Sequence, residues 1–96
     1  MAVGDTFSGL QSIANGAYLD IRPTGTQEIV IHNIYHADDV SLEFYDGANS
    51  LVFATAVGAG IYAYYAFHVT NTRRIRAQNT SGVVALIGYD GIETHA

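Results

Sequence analysis

Val40-Ser-Leu-Glu-Phe-Tyr-Asp-Gly-Ala-Asn-Ser-Leu-Val-Phe-Ala-Thr55 decides the fold class. Side chains alternate between the two faces of a strand, so a half-buried strand reads apolar, polar, apolar. Val40, Leu42 and Phe44 take the inward face here, and Ser41, Glu43 and Tyr45 take the outward one. Asp46-Gly47-Ala48-Asn49 then spells a tight turn, with glycine supplying a positive φ at no steric cost. Ser50 to Thr55 pairs back. The stretch predicts a β-hairpin.

The same period of two recurs on both sides of this hairpin. Upstream, Phe7 to Ile13 reads as an opening strand or an ordered arm, and Asn15-Gly16 as a turn. Ala17 to Arg22 alternates and ends at Pro23-Thr-Gly-Thr26. Gln27 to His36 is the longest candidate strand, and Asp38-Asp39 opens the loop after it. Downstream come Ile61 to Val69, Arg73 to Gln78 and Val83 to Tyr89. Asn79-Thr-Ser-Gly82 reads as a turn, and Asp90-Gly91 as a turn into a short tail. No window carries a convincing 3.6-residue period. Strands at intervals of about 10 residues predict one all-β domain over residues 1–96, with residues 1–14 a possible N-terminal arm. The expected architecture is a single antiparallel β-sandwich or jelly roll of about eight short strands.

Ile61-Tyr-Ala-Tyr-Tyr-Ala-Phe-His-Val69 departs from the half-buried pattern. As one strand it puts Tyr62, Tyr64, Ala66 and His68 on one face and Ile61, Ala63, Tyr65, Phe67 and Val69 on the other. Both faces then carry large apolar groups and need cover. A 96-residue chain has little left to supply it. A second copy of the protein is the expected cover, with Tyr62, Tyr64, Tyr65 and Phe67 at the interface.

Composition narrows the function. Charged residues make up 14% of the chain, against about 25% in an average domain. Lysine and cysteine are absent, which excludes disulfides and thiolate metal sites. A net charge of −5 argues against nonspecific nucleic-acid binding. The first residues show no signal-peptide pattern, and no run reaches the roughly 20 apolar residues of a membrane helix.

The chemistry-bearing residues do not assemble into a catalytic or metal motif. His32 and His36 have the spacing of a helical chelate, but on a strand they stand about 13 Å apart, four steps of about 3.3 Å. Asp38, Asp39, Asp46, Asp90 and Glu93 have no calcium-loop spacing. Gly58-Ala-Gly60 precedes no helix that would bind phosphate. No serine or threonine sits in a nucleophile elbow, and no carboxylate pair stands out. No enzyme activity, cofactor or metal is expected. Asn79-Thr80-Ser81 matches a glycosylation sequon and also spells a turn. Arg74 and Arg76 share one strand face, with Arg73 beside them. Arginine without lysine suits planar pairing with carboxylates. Intersubunit or interprotein ion pairs are the expectation for Arg73, Arg74 and Arg76, and a solvated strand face is the alternative.

The order of elements from Ile29-Val-Ile-His-Asn-Ile34, through Leu42-Glu-Phe-Tyr-Asp-Gly47, to Val69-Thr-Asn-Thr-Arg-Arg-Ile-Arg76 resembles a known group. Gln78-Asn-Thr-Ser-Gly82 and Gly88-Tyr-Asp-Gly91 complete the likeness. The group is the small β-sandwich virion structural proteins of tailed viruses, the head decoration and accessory proteins. The resemblance implies a homo-oligomer, commonly a trimer, that bridges major capsid subunits on the virion surface. It carries no active site and no functional residue. A glycan-binding tail domain or lectin-like β-sandwich is the alternative. That reading requires an exposed aromatic residue beside an acid.

Overall fold

The computed structural model describes residues 4–23, 25–63 and 66–95. It contains nine strands: β1 (Thr6–Ile13), β2 (Tyr18–Ile21), β3 (Glu28–His36), β4 (Val40–Tyr45), β5 (Ser50–Ala56), β6 (Gly60–Tyr62), β7 (Phe67–Thr70), β8 (Arg74–Asn79) and β9 (Ala85–His95). No helix occurs among the described residues. The strands form two sheets. In the first the order is β1-β9-β3-β6, with β7 also on β3; in the second it is β2-β8-β4-β5.

The pairing is nested. β4 pairs with β5, β3 with β6 and β7, β2 with β8 and β1 with β9, all antiparallel. This is one long hairpin bent back on itself. It is closed into a roll by β3 against β9 and β4 against β8. Two facing sheets with this connectivity make a jelly roll. β6 and β7 follow one another along β3, so together they fill the place of one strand.

Period-two patterning explains which residues meet between the sheets. β8 turns Ile75 and Ala77 inward opposite Phe44 and Leu42 of β4. β2 adds Leu19 and Ile21 opposite the same two residues of β8. The other sheet contributes Ile29, Ile31, Ile34, Val69 and Ile87. These side chains form the core, and most are fully buried. Each valine, leucine, isoleucine or phenylalanine moved out of water contributes roughly 1.5–3 kcal/mol.

Two segments depart from the sequence reading. Ile61 to Val69 is not one strand. Tyr62 pairs with Ile34, but Phe67 pairs with Ile31 and Val69 with Ile29. The parity therefore changes between Tyr62 and Phe67. A register shift on β3 between Ile31 and Asn33 matches the change. The result puts Tyr62, Phe67 and Val69 all toward the core, while Ile61 stands exposed on the opposite face. Tyr64 and Tyr65 lie outside the described residues.

The second departure is Asp90-Gly91, which is no turn. Both residues lie inside β9, which runs on to His95. A Cβ at Gly91 would collide with the carbonyl oxygen of Val30 on β3. Glycine is needed there for close backbone approach, a use it has inside strands as well as in turns.

Candidate functional site

The outer face of the second sheet holds the arginines. Arg74 lies opposite Tyr45, and Arg76 lies between Glu43 on β4 and Asp20 on β2. Arg76 Nη2 reaches Glu43 Oε1 at 3.2 Å, and Arg74 Nε reaches Asp20 Oδ1 at 3.0 Å. The Arg76 guanidinium is also stacked between two rings, 4.1 Å from the Tyr18 centroid and 4.5 Å from that of Tyr45. Burial disfavours its charge first; the bond to Glu43 and the charges of Glu43 and Asp20 outweigh this, and its pKa rises. The carboxylates that pair with Arg74 and Arg76 thus belong to the same chain. Arg73 is exposed in the turn before β8, where its amide donates to Thr70 Oγ1.

The side of the sandwich formed by β5 and by β6 with β7 holds the predicted aromatic interface residues. Phe53 of β5 packs on Tyr62 and Phe67 at 6.0 and 5.3 Å between centroids. Tyr62 and Phe67 are stacked at 5.9 Å and half-buried. Around them, Leu51 is 67% exposed, Val52 55%, Val57 90% and Ile61 58%. Between Asp46 and His68 there is no acidic or basic residue. Edge strands are normally blunted with charge or proline against pairing with other chains. β5 and β6 have neither. The charge-free run is the sequence signal that marks Leu51, Val52 and Val57, which the aromatic pattern alone did not single out.

A third arrangement lies on the outer face of the first sheet. Leu10, Gly88, Tyr35 and Ile61 form a row across β1, β9, β3 and β6. Gly88 has no side chain and is buried, with Leu10 leaning over it. Ser8, Asp90 and Asn33 form the next row. Asn33 Nδ2 donates to Asp90 Oδ1 at 2.8 Å, and the Tyr35 hydroxyl donates to Asp90 Oδ2. That bond, local desolvation and the carboxylate's charge together raise the Tyr35 pKa above its usual value. The groove so formed has a volume of about 520 Å³ and is lined by Ser8, Gly9, Leu10, Tyr35, Tyr89 and Asp90.

The remaining candidates serve local structure. His36 is buried, with Nδ1 2.9 Å from Gly58 O and 3.2 Å from Asp38 O. His32 sits at the register shift of β3, and the two histidines do not converge. Asp39 Oδ1 accepts from the Gly58 amide at 2.7 Å. Asp46 Oδ1 accepts from the amides of Asn49 and Ala48, which hold its carboxyl below the usual range. Glu93 differs from these: it is fully buried, and neither of its carboxylate oxygens has a hydrogen-bond partner among the described residues. Among the described residues no group of three or more histidines, cysteines or acids comes together to hold a metal. Asn79 of the sequon is fully buried, and its side chain clasps the β8–β9 turn. No protein-family model matches the chain, and no curated protein is significantly similar to it.

Proposed function

We propose that this chain is a non-enzymatic structural subunit that assembles with copies of itself, and that its role is capsid decoration on a tailed virus. The observation that carries the reading is the uncharged side of the sandwich. Leu51 and Val52 on β5, Val57 in the loop after it and Ile61 on β6 stand exposed along the two edge strands that carry the half-buried Phe53–Tyr62–Phe67 cluster. An edge without charge favours one occupant above others, a second equally uncharged edge. Repetition by a closed rotation axis then covers every copy. A trimer follows the resemblance of the sequence, and the major capsid protein is the expected second partner. The jelly roll suits the role, since viral capsid domains use this architecture repeatedly.

Sedimentation equilibrium at micromolar concentration tests the assembly. The wild type should sediment as a trimer. Val52→Lys places a charge on the edge of β5, and it should yield a folded monomer with unchanged circular dichroism. A monomeric wild type would remove the basis of the proposal. The virion role is tested separately, by mass spectrometry of particles purified on density gradients from the host. The chain should be present in a fixed ratio to the major capsid protein.

A lectin-like reading has its own observation. It calls for an aromatic residue open to solvent beside an acid, and the half-buried Tyr35 beside Asp90 is the pair that comes nearest to it.

A further inference from the structure

We infer that the groove between Leu10 and Tyr35 binds a neutral pyranose ring. The inference rests on the lectin-like reading and is independent of self-assembly. Its first support is shape. A ligand site is a concavity of about 300–1,000 Å³ with apolar walls and few polar groups. This groove measures about 520 Å³. Its lining runs along Ser8, Gly9 and Leu10 of β1 and reaches Tyr35 and Asp90, while Gly88 is buried beneath Leu10. A Cβ on Gly88 would come within 2.8 Å of both Leu10 Cδ1 and Gly9 O.

The second support is the chemistry of the walls. Leu10 is 64% exposed, an unusual place for a leucine in the middle of a strand. With Tyr35 it offers apolar surface for the C–H face of a sugar ring. At one end stands Asp90, opposite Ser8 on β1. Its carboxylate is already oriented by Asn33 Nδ2 and by the Tyr35 hydroxyl. An ionised carboxylate offers about four lone-pair sites. Two are used, and the others suit the paired hydroxyls of a sugar, which donate side by side. The Ser8 hydroxyl adds a group that both donates and accepts.

Charge selects the class of sugar. Among the described residues Asp90 is the one charged residue lining the groove, and it repels uronic acids, sialic acids and phosphates. A quaternary or ammonium ligand calls for a cage of several rings. Among the described residues two tyrosines line the groove, and Tyr89 turns its ring under Gly9, toward Phe7. A neutral hexose or N-acetylhexosamine fits the remaining description.

The test is isothermal titration of the wild type, whatever its oligomeric state, with methyl glycosides of glucose, galactose, mannose and N-acetylglucosamine. Methyl glucuronide and choline serve as anionic and cationic probes. At least one neutral glycoside should saturate the protein with one site per chain. Asp90→Asn and Tyr35→Ala should each weaken it by roughly 10-fold or more, the loss for a hydrogen bond to a charged group. Leu10→Ala, at an exposed position, checks the apolar wall without burdening the fold. Each variant should keep the wild-type dichroism spectrum and sedimentation. Three results would overturn the inference. One is no saturation by any neutral glycoside. Another is neutral binding that Asp90→Asn, Tyr35→Ala and Leu10→Ala leave intact. The third is preference for choline or the glucuronide. None of them bears on self-assembly, which the edge variant tests on its own.

Discussion

Replacing Asn79 should unlatch the open end of the roll. The side chain is fully buried at the end of β8. Its Nδ2 donates to Ile13 O at 2.7 Å and to Val83 O at 2.6 Å. Its Oδ1 accepts from the Ser81 amide at 2.9 Å and the Ser81 hydroxyl at 2.7 Å. One amide thus ties the end of β1 to the loop that leads into β9. Each bond contributes about 1 kcal/mol net, and a buried carbonyl left without a donor costs about 1–3 kcal/mol. Water can replace Asn79 at Ser81, and Val83 O keeps the Ser81 hydroxyl as a donor at 2.9 Å, so the buried carbonyl of Ile13 dominates and the lost bonds add to it. Asn79→Ala should therefore cost about 3 kcal/mol. For a domain of this size 1 kcal/mol lowers the melting midpoint by about 4–8 °C, so the drop should be roughly 12–24 °C. Asn79→Asp separates chemistry from size. It preserves shape but points carboxylate oxygens at two carbonyls, so at neutral pH it should cost at least as much as alanine. Protonation restores one donor, so part of the loss should return as pH falls. Urea denaturation of the three proteins supplies the free energies. An alanine variant within 1 kcal/mol of wild type, or an aspartate variant as stable as wild type at neutral pH, would refute the reasoning.

Arg76→Ala should cost about 2–3 kcal/mol in the same assay, below the usual range for a buried pair because the arginine side chain remains 23% exposed beside a Glu43 that is 7% exposed. Arg76→Lys should not restore the loss, since an ammonium cannot stack flat between Tyr18 and Tyr45. Gly91→Ala should cost about 3 kcal/mol or abolish folding, because its methyl group meets Val30 O of the neighbouring strand; expression and urea midpoint report this. Asp46 has a depressed folded pKa, so its contribution is present above the unfolded value of 3.8 and is lost as pH falls through the folded one. The wild-type advantage over Asp46→Ala should shrink in acid, read from midpoints at a series of pH values. Tyr35 is shifted the opposite way by its bond to Asp90. Its ionisation, followed by tyrosinate absorbance, should move to lower pH in Asp90→Ala.

The all-β class and much of the second sheet are legible in the sequence because they depend on local alternation. Val40, Leu42, Ile75 and Ala77 are buried as their parity requires, with Arg74 and Arg76 on the opposite face. The first sheet is less legible, because its pairings depend on distant strands. Tyr-Asp-Gly occurs twice, at residues 45–47 and 89–91. At the first, Gly47 has φ 99° and the chain turns. At the second, Gly91 is pressed against β3 and the strand continues. Nothing within the tripeptide distinguishes them; the neighbouring strand does. The parity change between Tyr62 and Phe67 likewise depends on the irregularity near His32 in another strand. The groove is legible least of all. Asn33 and Tyr35 stand 57 and 55 residues from Asp90, and only the register of β3 against β9 unites them.

That register also governs how the protein comes into being. β9 follows every other strand in chain order, yet it occupies the interior of the first sheet, between β1 and β3. During synthesis, β1 has no partner until residues 85–95 have left the ribosome. Such distant pairings close slowly, since the loop entropy is lost before any contact compensates it. Meanwhile the uncharged β5–β6 segment is already out and uncovered, the kind of surface that drives aggregation of incomplete chains. A nascent chain stalled before residue 85 should therefore need a chaperone, and one released after residue 95 should not.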